Sequence, residues 1–332
     1  MAKSLSLNGQ ITNFLIEFQE VLYPTLAVIG VPINLVTIVI LCRGKCGLSK
    51  CVTYYLVAMA AADLLVVIID LILRHIPVLY WKQFSFVYDI HVCNIHAVVL
   101  YATTDCSVWF TVSFTFDRFV AICCQKWKDK YCTVKITLVV LGTVTVLSCL
   151  KNVFWYYMLS PRYWLINFPW FCEVRSGVME SQFWATIEFL HNIVTPCVPF
   201  ILILFLNSLT IRHVLVSSRA RRRLRNHSSG ESMRDPEMES RRKSIILLFV
   251  ISANFMLLWT MFMVYSIWWR MWVLGYESVR FPDFVLEMGF MLQLLSCCTN
   301  TCIYAVTQTR FREQLMLVVK YPIAVFVKSI KR

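Results

Sequence analysis

The chain has 332 residues, 58% of them hydrophobic and only 15% charged, with a mean hydropathy of +0.65. A soluble domain is usually about 25% charged, so two ordinary water-soluble domains are excluded as a reading. The net charge is +13, but its basic residues sit between long apolar runs, which points to anionic lipid and away from nucleic acid.

Residues 1–20 are expected to form an extracellular N-terminal segment, with no basic-then-apolar stretch of the kind cleaved as a signal peptide. Seven apolar runs follow at 21–43, 52–76, 93–122, 134–157, 183–215, 243–268 and 283–306. Each is long enough to cross a bilayer, which takes about 20 residues. Helix is the expected state of each, because backbone amides in lipid must pair within their own segment. Alternating strands of barrel type, about 10 residues long, are absent. Between the fifth and sixth runs, 216–242 reads as a basic, mobile cytosolic loop that includes Arg219, Arg221, Arg222, Arg223 and Arg225. After the last run, 307–332 reads as a cytosolic tail whose stretch 309–319 forms an interfacial helix. The expected fold is an all-α integral membrane protein: a seven-transmembrane helix bundle with a short amphipathic eighth helix.

Lysine and arginine counts set the orientation. With the N-terminus outside, the outer segments carry seven basic residues and the inner ones 24, while Lys151 lies within the fourth run. The positive-inside rule then puts the C-terminus in the cytosol. Most of the 14 cysteines lie inside apolar runs, where they act as small hydrophobes.

Motifs fall one to a run. The first holds Gly30-Val31-Pro32-Ile33-Asn34 and the second Leu56 to Leu64, with Asp63 near mid-membrane. Cys93 opens the third, which Asp117-Arg118-Phe119 closes; Pro199 lies in the fifth; Phe255 and Trp259 lie in the sixth. The seventh has Asn300-Thr301-Cys302-Ile303-Tyr304, with Phe311 beyond it. In this order the motifs resemble the rhodopsin-like (class A) G-protein-coupled receptors along the whole chain. The stretch from Cys297 to Leu315 is most similar to an orphan subgroup responsive to aromatic amino acids. Departures are Thr301 and Met261 where the family has prolines, Asn207 where a tyrosine is common, a fourth run without the family tryptophan, and Arg241 where many members carry an acid.

The resemblance implies a plasma-membrane receptor that binds an extracellular ligand, a small aromatic amino acid or short peptide, and activates a heterotrimeric G protein. The phospholipase-C-linked type is the expected one. It implies a disulfide between Cys93 and Cys172, both on the oxidising side. It implies a switch in which Asp117 and Arg118 separate, Tyr304 swings inward, and Trp259, Phe255, Val108 and Pro199 repack. For each of these apolar side chains plain packing is the alternative. Asp63 with Asn34, Ser107 and Asn300 would hold a sodium ion, the one cofactor expected; the alternative is a protonated structural aspartate, since a charge at that depth is costly.

For the ligand, the outer halves of the runs offer Asp70, Arg74, Asp105, Glu188, His191, Arg270 and Glu287 beside Tyr101, Trp109, Trp268 and Phe290. A zwitterionic aromatic ligand is expected to place its ammonium on Asp105 or Glu188, its carboxylate on Arg270 and its ring on the aromatic walls. The alternative pairs Asp105 with His191 and sends Arg270 to the interface. A multi-pass transporter or channel is the competing class, though repeated halves and Gly/Pro-broken runs are absent. The seventh run has no lysine for a retinal Schiff base, and no metal or nucleophile cluster suggests an enzyme.

Overall fold

The computed structural model describes residues 7–166, 171–178, 181–225, 236–273, 275–276 and 281–330, apart from the side chains of 185, 192, 220–225, 236–241, 270, 273, 283, 319 and 321–330. Among the described residues, seven helices are long and apolar enough to cross a bilayer. In chain order they are helix 1 (Leu7–Cys42), helix 2 (Lys50–Leu79), helix 3 (Cys93–Cys123), helix 4 (Val134–Met158), helix 5 (Gln182–Val194 and Cys197–Arg225), helix 6 (Pro236–Val273) and helix 7 (Asp283–Thr307), followed by helix 8 (Thr309–Ile330). A hairpin of β1 (Leu159–Tyr163) and antiparallel β2 (Cys172–Val174) lies between helices 4 and 5.

Burial is inverted relative to a water-soluble protein. Val28, Leu257 and Val306 are 74%, 74% and 79% exposed, whereas Asn34, Asp63, Asp105 and Asp117 are each 1% exposed. Apolar side chains on the rim need only lipid, while a polar group inside must find a partner. Ser49 caps helix 2 by accepting from the Val52 amide, and Thr133 caps helix 4 by accepting from Ile136. Helix 2 widens into a π-helix over Val67–His75, and Asp70, Leu71, Arg74 and His75 are all buried there.

Several boundaries differ from the sequence expectation. Helix 1 begins at Leu7, so it takes in 7–20, which the sequence placed in the segment before the first span. At 36 residues it is about 54 Å long, well beyond a hydrocarbon core of about 30 Å. Its extension is tied down where Tyr80 donates to the Glu20 carbonyl and Gln19 to Glu287. The expected loop 216–242 is largely helix, because arginine is a good helix former and carries helix 5 to Arg225, while Pro236 opens helix 6. Only 226–235 of it lies outside the described residues. The helix expected at 309–319 runs to Ile330. Helix 5 breaks at Thr195 and Pro196.

Two glycines allow close approach. A Cβ on Gly30 would lie 2.8 Å from the Cys298 sulfur, so helices 1 and 7 touch there. Gly47, at a φ of 67°, ends the turn after helix 1 with the Arg310 guanidinium lying where a side chain would go.

Candidate functional site

The end of the bundle that carries Arg118 is closed. Arg118 donates to Asp117 through both Nε (2.9 Å) and Nη2, and its Nη1 donates to Ser244 on helix 6 at 3.3 Å. Arg118 is 7% exposed and Asp117 1%. The guanidinium thus bridges helices 3 and 6 through Ser244; the side chain of Arg241 lies outside the described residues. Ser244 was not singled out from sequence, since a serine at a helix start carries no distinctive signal. The Cys132 thiol approaches the Asp117 carbonyl at 3.7 Å; burial and the nearby Asp117 carboxylate push it up to about 12. Tyr304 is buried with its ring edge-on to Phe311 at 5.8 Å, and its hydroxyl meets no hydrogen-bond partner among the described residues.

In mid-bundle Asp63 has both oxygens occupied: Ser107 donates to Oδ1 at 2.6 Å and Asn300 to Oδ2 at 2.7 Å. Asn34 lies beside this group and donates to the carbonyls of Gly30 and Cys297, both at 3.0 Å. Carboxylate, hydroxyl and amide oxygens are the donor type a hard cation takes. The Thr301 hydroxyl lies 2.7 Å from that of Thr37, so the residue standing for the family proline ties helix 7 to helix 1. Val108, Val112, Phe255 and Trp259 pack with Ile203, one turn after Pro199, and Trp259 donates to Ser296 at 3.2 Å. Ile203 is fully buried and was missed, because its aliphatic side chain looks like any other in an apolar run.

At the other end, Cys93 and Cys172 form a disulfide. It holds Phe171, the neighbour of Cys172, in an apolar cluster with Leu100, Trp155 and Met158. Asp105 corrects the sequence reading. Its Oδ2 accepts from Lys151 at 2.7 Å and from Asn152 at 2.5 Å, both on helix 4. Lys151 also donates to Thr195 at 2.7 Å, in the break of helix 5. An ammonium inside a spanning helix needs an acid, so the cation that Asp105 meets is the chain's own. His191, its expected alternative partner, is edge-on to Tyr101, Phe154 and Trp155 at 5.4–5.5 Å. Tyr101 stacks on Trp155 at 4.5 Å.

The remaining pocket residues are spread around this end. Trp109 packs on the mid-bundle aromatic cluster, Trp268 is 4.7 Å from the Phe281 ring, and Glu188 is half-buried on helix 5. The Arg270 side chain lies outside the described residues. Phe290 is buried, 5.2 Å from His75 and 5.5 Å from Phe262. It also covers a group that sequence did not rank among the site residues. Arg74, 4% exposed, pairs with Asp70 at 3.0 Å, and its guanidinium lies 5.0 Å from the Phe290 centroid and 5.6 Å from Phe171. The available signal was the i, i+4 acid–base spacing within an apolar run.

A family model described as 7 transmembrane receptor (rhodopsin family) matches residues 33–304. The chain is 26% identical over 237 residues to the Drosophila melanogaster FMRFamide receptor, covering 65% of this chain but only 41% of that protein. It is 23% identical over 301 residues to the Macaca fascicularis C-C chemokine receptor type 1, covering 89% and 77% of the two chains. With the Rattus norvegicus type-2 angiotensin II receptor, identity is 22% over 328 residues, covering 93% and 81%. The relatives are receptors and not enzymes. With its seven spans and its motifs in order, the chain belongs to the rhodopsin family of seven-transmembrane receptors.

Proposed function

We propose that this receptor binds an extracellular ligand at the disulfide end of the bundle and passes the signal to a heterotrimeric G protein at the Arg118 end. The observation that carries the reading is the closed corner in which Asp117 and Ser244 hold Arg118 between helices 3 and 6. Ligand binding shifts a two-state equilibrium only if one state binds better. Repacking of Trp259, Phe255, Ile203 and Val108 against helix 5 supplies the second state. The N-terminus is extracellular and the C-terminus cytosolic, as the bias in basic residues supports.

The ligand is a small aromatic amino acid or a short peptide. Lys151 already satisfies Asp105, so the ligand's ammonium meets Glu188 and its carboxylate meets Arg270. Tyr101, His191, Trp268 and Phe290 form the aromatic walls, and the Arg74–Asp70 pair lies beneath Phe290. A sodium ion among Asp63, Ser107 and Asn300 favours the closed state. The G protein is the phospholipase-C-linked type, a reading drawn from the likeness to the aromatic-amino-acid subgroup. Amino acids and short peptides are screened on transfected cells with calcium and cAMP readouts. Glu188→Gln and Arg270→Ala are each expected to weaken agonist potency at least tenfold, about 1.4 kcal/mol of lost charge-assisted contact. Unchanged potency in both variants overturns this pocket.

A further inference from the structure

A sequence pattern and a structural contact meet at Ser244. The pattern is Arg241-Arg242-Lys243-Ser244-Ile245, with guanidinium groups three and two residues before a hydroxyl and an aliphatic side chain after it. A serine kinase whose substrate cleft is lined with carboxylates selects on this spacing, because each guanidinium pairs with an acid at a set distance from the reacting oxygen. As a partner of Arg118 the serine carries no mark in the sequence; as an acceptor of phosphate it does. The contact is the one from Arg118 Nη1, which donates to Ser244 Oγ at 3.3 Å.

The hydroxyl lies near the start of helix 6, where the helix can open locally. Residues 236–243 before it are polar apart from Pro236 and Met238. Arg242 is exposed, and Lys243, Ser244 and Ile245 are half-buried. Leu247 is the first fully buried side chain of the helix among the described residues. Unwinding through Ile245 therefore gives up hydrogen bonds at a helix end and uncovers no fully buried side chain, which is the least costly kind of opening. It also frees Ser244 from Arg118, so modification takes place with the corner open and acts when the corner closes again.

We propose that Ser244 is a phosphorylation site for a cytosolic serine kinase of this acidic-cleft class, and that its phosphate locks the corner shut. The proposal rests on the closed corner read above. In the transfer, Ser244 Oγ bonds to the γ-phosphorus of ATP and the bond from that phosphorus to the β–γ bridging oxygen breaks. ADP leaves, and the hydroxyl proton passes to a carboxylate of the kinase and on to solvent. Phosphoserine carries about −1.5 to −2 charges at pH 7 and three acceptor oxygens. Asp117 takes Nε and Nη2 of Arg118, which leaves Nη1 to the phosphate. The tie between helices 3 and 6 thereby changes from a hydroxyl contact to an ion pair, with the Arg118 guanidinium between the two anions.

The test uses the full-length receptor in nanodiscs with ATP, magnesium and the catalytic subunit of a cyclic-AMP-dependent kinase, an acidic-cleft enzyme, with phosphosites mapped by mass spectrometry. Phosphate is expected on Ser244 of the wild-type chain, and the Arg241→Ala/Arg242→Ala variant is expected to take it up at least tenfold more slowly, about 1.4 kcal/mol of lost charge pairing. Its effect is read in Asp117→Asn, whose raised basal nucleotide exchange leaves room for a fall. Phosphorylation is expected to lower that exchange about fivefold and to raise the melting temperature of the receptor alone. Phosphatase treatment reverses both changes. Asp117→Asn/Ser244→Ala shows neither, which separates Ser244 from other serines such as Ser228, three residues after Arg225. An intact Cys93–Cys172 disulfide on a non-reducing gel establishes folding of each variant, and the mapping on the wild-type chain needs none. A wild-type receptor that takes up no phosphate at Ser244 overturns the proposal. So does exchange that stays level or rises on phosphorylation, and so does a fall with no gain in melting temperature, since the phosphate then only repels the G protein. In each of these cases the raised exchange of Asp117→Asn still upholds the closed corner; if that variant is no more active than wild type, corner and lock fall together.

Discussion

Lys151 decides how the disulfide end is read. A lysine in the fourth apolar run demands a carboxylate, and Asp105 supplies it from helix 3 with Asn152 completing the contact. Sequence placed both residues in spans but could not rotate one helix against the other, because spans that are apolar around most of their circumference give no phase. Breaking a buried pair from one side leaves an uncompensated charge, at a cost of about 3–5 kcal/mol. Lys151→Ala is therefore expected to lower the melting temperature of the purified receptor clearly, and Asp105→Asn in the same chain to recover much of the loss. Equal melting temperatures for wild type and Lys151→Ala contradict the pairing. The motif residues were legible one by one for a different reason: Asp63, Asp117, Arg118 and Asn300 carry chemistry that a membrane interior tolerates only with a purpose.

Among the helices, number and order were legible and lengths were not. Apolar runs mark where lipid begins and ends, while helix 1, helix 5 and helix 6 continue into more polar sequence and helix 8 runs on through Pro322 to Ile330. The contact between helices 1 and 7 depends on Gly30, whose absent Cβ makes room for Cys298, and on the Thr37–Thr301 hydroxyl pair. Gly30→Val forces these helices apart. It is expected to cost at least 1–3 kcal/mol as overpacking and to lower the melting temperature, with partial recovery in the Gly30→Val/Cys298→Ala double variant. A Gly30→Val receptor as heat-stable as wild type means the helices do not pack as described.

For the molecule as a whole, three features line up from end to end. The disulfide seats Phe171 over Arg74, the aromatic group around Trp259 fills the middle, and Arg118 lies in the closed corner. The ends of this line were readable from motifs. The partner of Asp105 and the contact from Ser244 were not, since both depend on which faces of helices meet. The account stands on the closing of that corner, and it can be tested without any ligand. Asp117→Asn removes the charge that holds Arg118, so the ligand-free receptor shifts toward its open state, about tenfold for each 1.4 kcal/mol of closing energy lost. The measurement is nucleotide exchange on purified heterotrimeric G proteins of each class, with full-length wild-type or Asp117→Asn receptor in nanodiscs. The account predicts a several-fold rise in basal exchange for at least one class, the phospholipase-C-linked one first. Exchange that stays at the receptor-free background for every class, in a variant that is folded and carries its disulfide, would contradict it.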